Sequence, residues 1–131
     1  MARRSGGSSR AGDAKAFGGT WRVAELEGFD REYVELTGPA LVRLRVSRRG
    51  EVEGSFAFGA QESGIDGRIE RSDGGPPRMT FTFEGVDEGD MVHGCGYATL
   101  IDPDTLRGEL RYHLSDTIRF TWQRVLPERD D

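Results

Sequence analysis

From Thr20 to Val125, apolar side chains recur at every second position in one run after another. This alternation constrains the chain more than any other feature, because a period of two suits an extended strand with one face buried and one face in water. Eight runs carry it: residues 20–26, 40–46, 51–58, 64–71, 78–84, 91–101, 105–113 and 117–125. Val42, Leu44 and Val46 oppose Arg43 and Arg45, and Met79, Phe81 and Phe83 oppose Thr80, Thr82 and Glu84. Short strands at even spacing predict an all-β fold, an antiparallel up-and-down β-barrel of about eight strands. Residues 27–39 do not alternate, and they predict a short helix over one mouth of the barrel, with Phe29, Tyr33 and Leu36 facing inward.

The turns set the expected registers. A three-residue loop at Arg48–Gly50 keeps Val46 and Val52 on one side and ends in glycine, the residue that a left-handed bulge position prefers. Asp102–Asp104 does the same and puts Leu100 opposite Leu106 and Gly94 opposite Tyr112. A loop at Leu114–Asp116 puts Leu110 opposite Phe120 and Gly108 opposite Trp122, a glycine covered by an aromatic ring. The hairpin between residues 51 and 71 is different, since Phe58 and Ile65 have opposite parity. Either a bulge lies near Gly59 or Gly64, or Asp66 and Arg68 point inward in place of Ile65.

The chain has 131 residues, a length that suits one domain, and its 35% apolar content suits a barrel whose alternate residues face water. Residues 1–17, rich in Gly, Ser, Arg and Ala, predict a disordered tail; 18–126 form the barrel, and 127–131 a disordered acidic end. One cysteine, Cys95, excludes an internal disulfide framework. No apolar run reaches the roughly 20 residues of a membrane span, and the N-terminus lacks the apolar stretch of a signal peptide. These features predict a cytoplasmic protein with no membrane partner. A single lysine, Lys15, and no asparagine indicate a GC-rich, bacterial source.

Gly19-Thr20-Trp21 opens the first strand and Arg124 lies on the last. This resembles the lipocalin, or more broadly calycin, pattern, in which an arginine of the final strand packs across the tryptophan of a Gly-x-Trp. The resemblance implies a structural pair of Trp21 and Arg124. The stretches EGFDREYVELTGPA, GIDGRIE and FEGVDEGD also resemble a family of small uncharacterised bacterial proteins. That resemblance spans about residues 18–125 and implies a shared barrel with no established activity.

Candidate chemistry is sparse. The acidic cluster Glu84, Asp87, Glu88 and Asp90 has the oxygen donors that calcium takes, but lacks the EF-hand spacing, and the favoured reading is a solvated hairpin loop. His93 and Cys95 share one strand face and His113 lies on the next strand, but the register turns them outward, away from any pocket that would activate a thiolate. No close-spaced ligand pair suggests a metal site. Asp66, Arg68 and Glu70 are the acid–base candidates if the register turns them in. No dinucleotide or phosphate loop is present, so no cofactor is expected, and glutamates interleaved with the outward arginines disfavour nucleic-acid binding.

The reading that follows is a barrel that binds a small, partly apolar ligand in its interior, with Phe56, Phe58, Asp66, Arg68, Phe81, Phe83, Tyr112 and Phe120 as candidate lining residues. The alternative is a filled barrel serving as an interaction or structural module. An enzyme using Asp66 or the acidic loop is the third, less favoured reading. Inward glycines (Gly54, Gly67, Gly94, Gly96 and Gly108) either open a cavity or let opposing aromatics fill it.

Overall fold

The computed structural model describes residues 14–71 and 74–126. Eight antiparallel strands close into one barrel in chain order. They are β1 (Gly19–Leu26), β2 (Leu41–Val46), β3 (Glu51–Phe58), β4 (Gln61–Glu70), β5 (Arg78–Asp87), β6 (Asp90–Asp102), β7 (Thr105–Tyr112) and β8 (Thr117–Arg124). The short helix α1 (Arg31–Val34) follows β1. Each expected strand is present, the main change being that β4 starts earlier, at Gln61. Among the described residues no helix is long and apolar enough to cross a membrane.

Local chemistry explains the connections. Gly50 takes φ +85°, and its N–H donates to the Ser47 carbonyl at 2.9 Å, so the loop at residues 48–50 aligns Val46 with Val52 as its sequence requires. Leu100 pairs with Leu106 and Gly94 with Tyr112, also as expected. Asp30 caps α1, its side chain accepting the Tyr33 N–H at 3.0 Å. Val34 is the helix residue that buries, while Phe29 and Leu36 are 39% and 58% exposed, so the expectation that both face inward is corrected. Four residues give one helical turn, and one turn presents only one apolar side to the mouth.

Two registers also differ from the sequence reading. Phe58 pairs with Gln61 across a two-residue turn at Gly59–Ala60, and such a turn pairs an even position with an odd one. Ile65 therefore faces inward with no bulge, and Asp66 and Arg68 are exposed on the outer face. In the last hairpin Tyr112 and Asp116 bracket the loop, with Leu114 at φ +55°. Leu110 pairs with Ile118, Gly108 with Phe120 and Leu106 with Trp122, two residues from the expected register. Both registers bury the same faces, so alternation has no power to separate them.

Aromatic side chains pack together inside the barrel. Trp21, Phe56, Phe81, Phe83, Phe120 and Trp122 are 0–4% exposed and form one cluster. Phe120 stacks on Trp122 with centroids 4.1 Å apart, and Phe56 meets Phe83 edge-on at 5.5 Å. Inward glycines make room for rings. A Cβ on Gly96 would sit 2.9 Å from the Phe81 ring, and one on Gly94 2.9 Å from the Phe83 ring. At Gly108 the backbone itself is close, since a Cβ would lie 1.7 Å from the Tyr97 carbonyl oxygen.

A helical turn at residues 14–17 lies beneath the end where β1 begins. Phe17 is fully buried and its carbonyl accepts the Trp21 indole N–H at 3.0 Å. This corrects the expected tail for these residues; the remainder of the expected tail, residues 1–13, and the expected end at 127–131 lie outside the described residues. The Arg124 guanidinium lies 4.3 Å over the Trp21 ring. It donates to the carbonyls of Gly18 at 2.9 Å, of Ala16, and of Pro103 at 3.1 Å. One planar cation thus holds the first strand, the last strand and two connections.

Two outcomes are expected in chemical denaturation. Arg124→Ala lowers stability by about 3 kcal/mol, and Arg124→Lys recovers less than half, because an ammonium lacks the planar fork. Gly108→Ala costs about 2 kcal/mol by forcing β6 and β7 apart.

Candidate functional site

The eight candidate lining residues divide sharply. Phe56, Phe58, Phe81, Phe83 and Phe120 are buried inside and Tyr112 is half-buried at the helix-covered end, but Asp66 and Arg68 stand in water. Two residues that the sequence reading did not single out join the interior: Gln61 and Ser63 are the buried polar side chains of the barrel. The Gln61 amide donates to Ser63 Oγ at 3.1 Å and its carbonyl oxygen accepts the Tyr112 hydroxyl at 2.9 Å. Continuing the alternation of β4 backwards from Ile65 reaches both residues, but only the turn at Gly59–Ala60 shows that this face is the inner one.

This network sits beneath the helix. Phe29 stacks on Tyr33 at 5.1 Å, and Phe83 meets Tyr112 edge-on at 5.1 Å. Burial pushes the Tyr112 hydroxyl up to about 12; Asp87 and Tyr33 push the same way, and the hydrogen bond to Gln61 opposes them. The group therefore serves as a neutral hydrogen-bond donor that anchors β7 to β4.

The depressions of about 290–800 Å³ open on the outside of the molecule. The one of about 800 Å³ runs along the wall of β6, β7, β8 and the upper part of β1, bordered by α1. Ala24 and Glu25, which line it, lie at an irregularity in β1 between Val23 and Glu25. Arg31 of α1 donates to the Val23 carbonyl at 2.9 Å and to the Ala24 carbonyl, which ties the helix to that irregularity.

Tyr97 and the half-exposed Ile101 give the groove apolar surface, and Arg78 lies 4.4 Å over the Tyr97 ring. Its carboxylates already have donors. Glu109 accepts from Arg111 at 3.2 Å, Glu25 from the Thr121 hydroxyl at 3.3 Å and Glu27 from the Arg119 backbone N–H at 3.1 Å. Arg107 and Arg119 form no ion pair among the described residues. The groove thus combines unpaired guanidinium groups with aromatic and aliphatic surface.

Elsewhere on the wall the charges pair or are solvated. Arg45 meets Glu53 at 3.0 Å, and Glu70 accepts the Thr80 hydroxyl at 3.1 Å. Asp87 and Asp90 flank a two-residue turn at Glu88–Gly89, so the acidic cluster is a hairpin tip. Among the described residues no three His, Cys, Asp or Glu side chains gather to hold an ion. Cys95 is free and exposed. His93 and His113, expected to be without a close-spaced partner, lie with ring centroids 4.6 Å apart, because the β6–β7 register sets them side by side.

No family model, curated protein or solved structure matches the chain. The closed eight-stranded barrel with the Trp21–Arg124 pair is consistent with a calycin-like fold.

In an ultraviolet pH titration, one tyrosine is expected to ionise near pH 12 and to be missing in Tyr112→Phe. The sign for stability follows. The folded value lies above the unfolded value of about 10, so this contribution is complete below that pH and is lost as pH rises toward 12. Tyr112→Phe removes that alkaline loss and also costs about 1–2 kcal/mol at neutral pH, because Gln61 Oε1 loses its donor.

Proposed function

We propose that this protein is a filled barrel that acts as a protein-interaction module, and that its outer groove binds an extended acidic segment of a partner carrying an aromatic or aliphatic anchor. The observation that carries this reading is the state of the charges. In a chain of net charge −5, this groove presents Arg107 and Arg119 without ion pairs, while its own carboxylates are already engaged. Guanidinium groups recognise carboxylates through paired, directional hydrogen bonds. Tyr97 and Ile101 supply surface for an apolar anchor.

The form of the groove favours a peptide over a small molecule. A small ligand needs a concavity that buries most of its surface, whereas an open wall along strands suits an extended chain. The packed interior supports the same choice, since the inward aromatics occupy the space a barrel-bound ligand would need. Cys95, exposed and free, fits a reducing compartment, and the proposal takes the cytoplasm as the place of action.

The test is fluorescence anisotropy with short peptides that alternate Glu and Phe, and with Lys-for-Glu versions as controls. The acidic peptides are expected to bind, more weakly as salt rises. The double variant Arg107→Glu, Arg119→Glu is expected to weaken binding by about tenfold or more, since two partly exposed pairs contribute about 1 kcal/mol each before repulsion is added. Equal binding by the double variant, or equal binding of the lysine peptides, rejects the reading.

A further inference from the structure

We propose that His93 and His113 form a two-imidazole site for a divalent transition-metal ion on the outer wall of the barrel. The site is independent of the arginine groove, because neither histidine lines it. It arises from tertiary pairing. The two residues are far apart in sequence, but the His113 N–H donates to the His93 carbonyl at 2.9 Å across β6 and β7. Their rings face each other with centroids 4.6 Å apart and planes 24° apart, and both residues are exposed. Glu84 is the partner of His93 on the other side, in β5. A carboxylate and two imidazoles therefore occupy consecutive positions in one row across the sheet.

The donor set selects the ion. Imidazole nitrogen suits copper, nickel and zinc, whereas calcium and magnesium take oxygen ligands. A metal–imidazole bond of about 2.0–2.1 Å sets two ring nitrogens on one ion roughly 3–4 Å apart. A metal–imidazole bond lies in the ring plane, so the two exposed rings, stacked with centroids 4.6 Å apart, would leave the stack by turning about their side-chain torsions until their nitrogens converge on one ion. Little conformational entropy is then lost on binding, because the ladder has already placed the two side chains together. With no third His, Cys, Asp or Glu converging among the described residues, the site has two protein donors and its other coordination positions stay open. Such an ion would tie β6 to β7 beside the loop that carries Leu114 at φ +55°.

The experiment uses the full chain with Cys95→Ser, which removes the exposed thiol as a competing ligand and as a reductant of copper. Electron paramagnetic resonance with Cu²⁺ is expected to show one strong site with coupling to two nitrogens. His93→Ala and His113→Ala, at exposed positions, are each expected to lose one nitrogen coupling and more than about tenfold in affinity. The double histidine variant measures binding by the N-terminal amine and other groups. Zn²⁺ is expected to raise the melting temperature of the parent and of neither single variant. Copper affinity unchanged in both single variants, or binding no tighter than that of the double variant, overturns the proposal.

Discussion

Closing a barrel requires the first and last strands to find each other, and here a single side chain joins everything at that seam. Arg124 projects from β8 over the Trp21 ring of β1, at 4.3 Å, and its N–H groups reach the carbonyls of Gly18 and Pro103. The Trp21 indole in turn reaches back to Phe17. The helical turn at residues 14–17 is thereby held under one end of the barrel, and Phe17 closes it with an apolar plug. The guanidinium keeps its charge satisfied by carbonyls and by the partly exposed Asp104, at 3.4 Å. The pair therefore escapes the heavy desolvation of a fully buried ion pair.

With that end closed, the opposite end is finished by a different device. Between the upper part of β1 and β3 the wall is completed by residues 27–39, whose helix buries Val34 and sets Tyr33 beside Phe29. Beneath it lie Gln61, Ser63 and Tyr112, polar groups that satisfy one another. A buried amide held by two partners costs little, and it gives β4 and β7 a directional contact that apolar packing alone does not supply. The interior between these ends is occupied by aromatic rings laid over glycines.

The outer wall is not uniform. Away from the groove, Arg45 pairs with Glu53 and Glu70 accepts the Thr80 hydroxyl. In the groove along β6, β7 and β8, Glu109, the cross-strand neighbour of Arg119, is engaged by Arg111 on its own strand, and Arg107 faces Thr99 and Thr121, so neither arginine has an ion pair. At the far end of β6 and β7 the acidic hairpin tip and the histidine pair form a second, chemically distinct region. The proposed carboxylate groove and the proposed histidine site thus lie on different parts of one surface.

The barrel class and its eight strands were legible in the residues, because alternation and turn glycines are local signals, and the Trp21–Arg124 pair was implied by the resemblance to the calycin pattern. The inward placement of Phe56, Phe81 and Phe120 followed from parity alone. Parity could not resolve the β3–β4 hairpin, where a two-residue turn carries Gln61 and Ser63 inside and leaves Asp66 and Arg68 outside. Nor could it detect the two-residue difference in the β7–β8 register, which exchanges no faces. The sequence by itself determined which faces are apolar, since that depends only on side-chain order along an extended backbone. Only the tertiary structure decided what stands beside what: rings over glycines, arginines without carboxylates, one histidine against another. Those neighbours come from strands distant in sequence, and the ladder hydrogen bonds and closure of the barrel set their register.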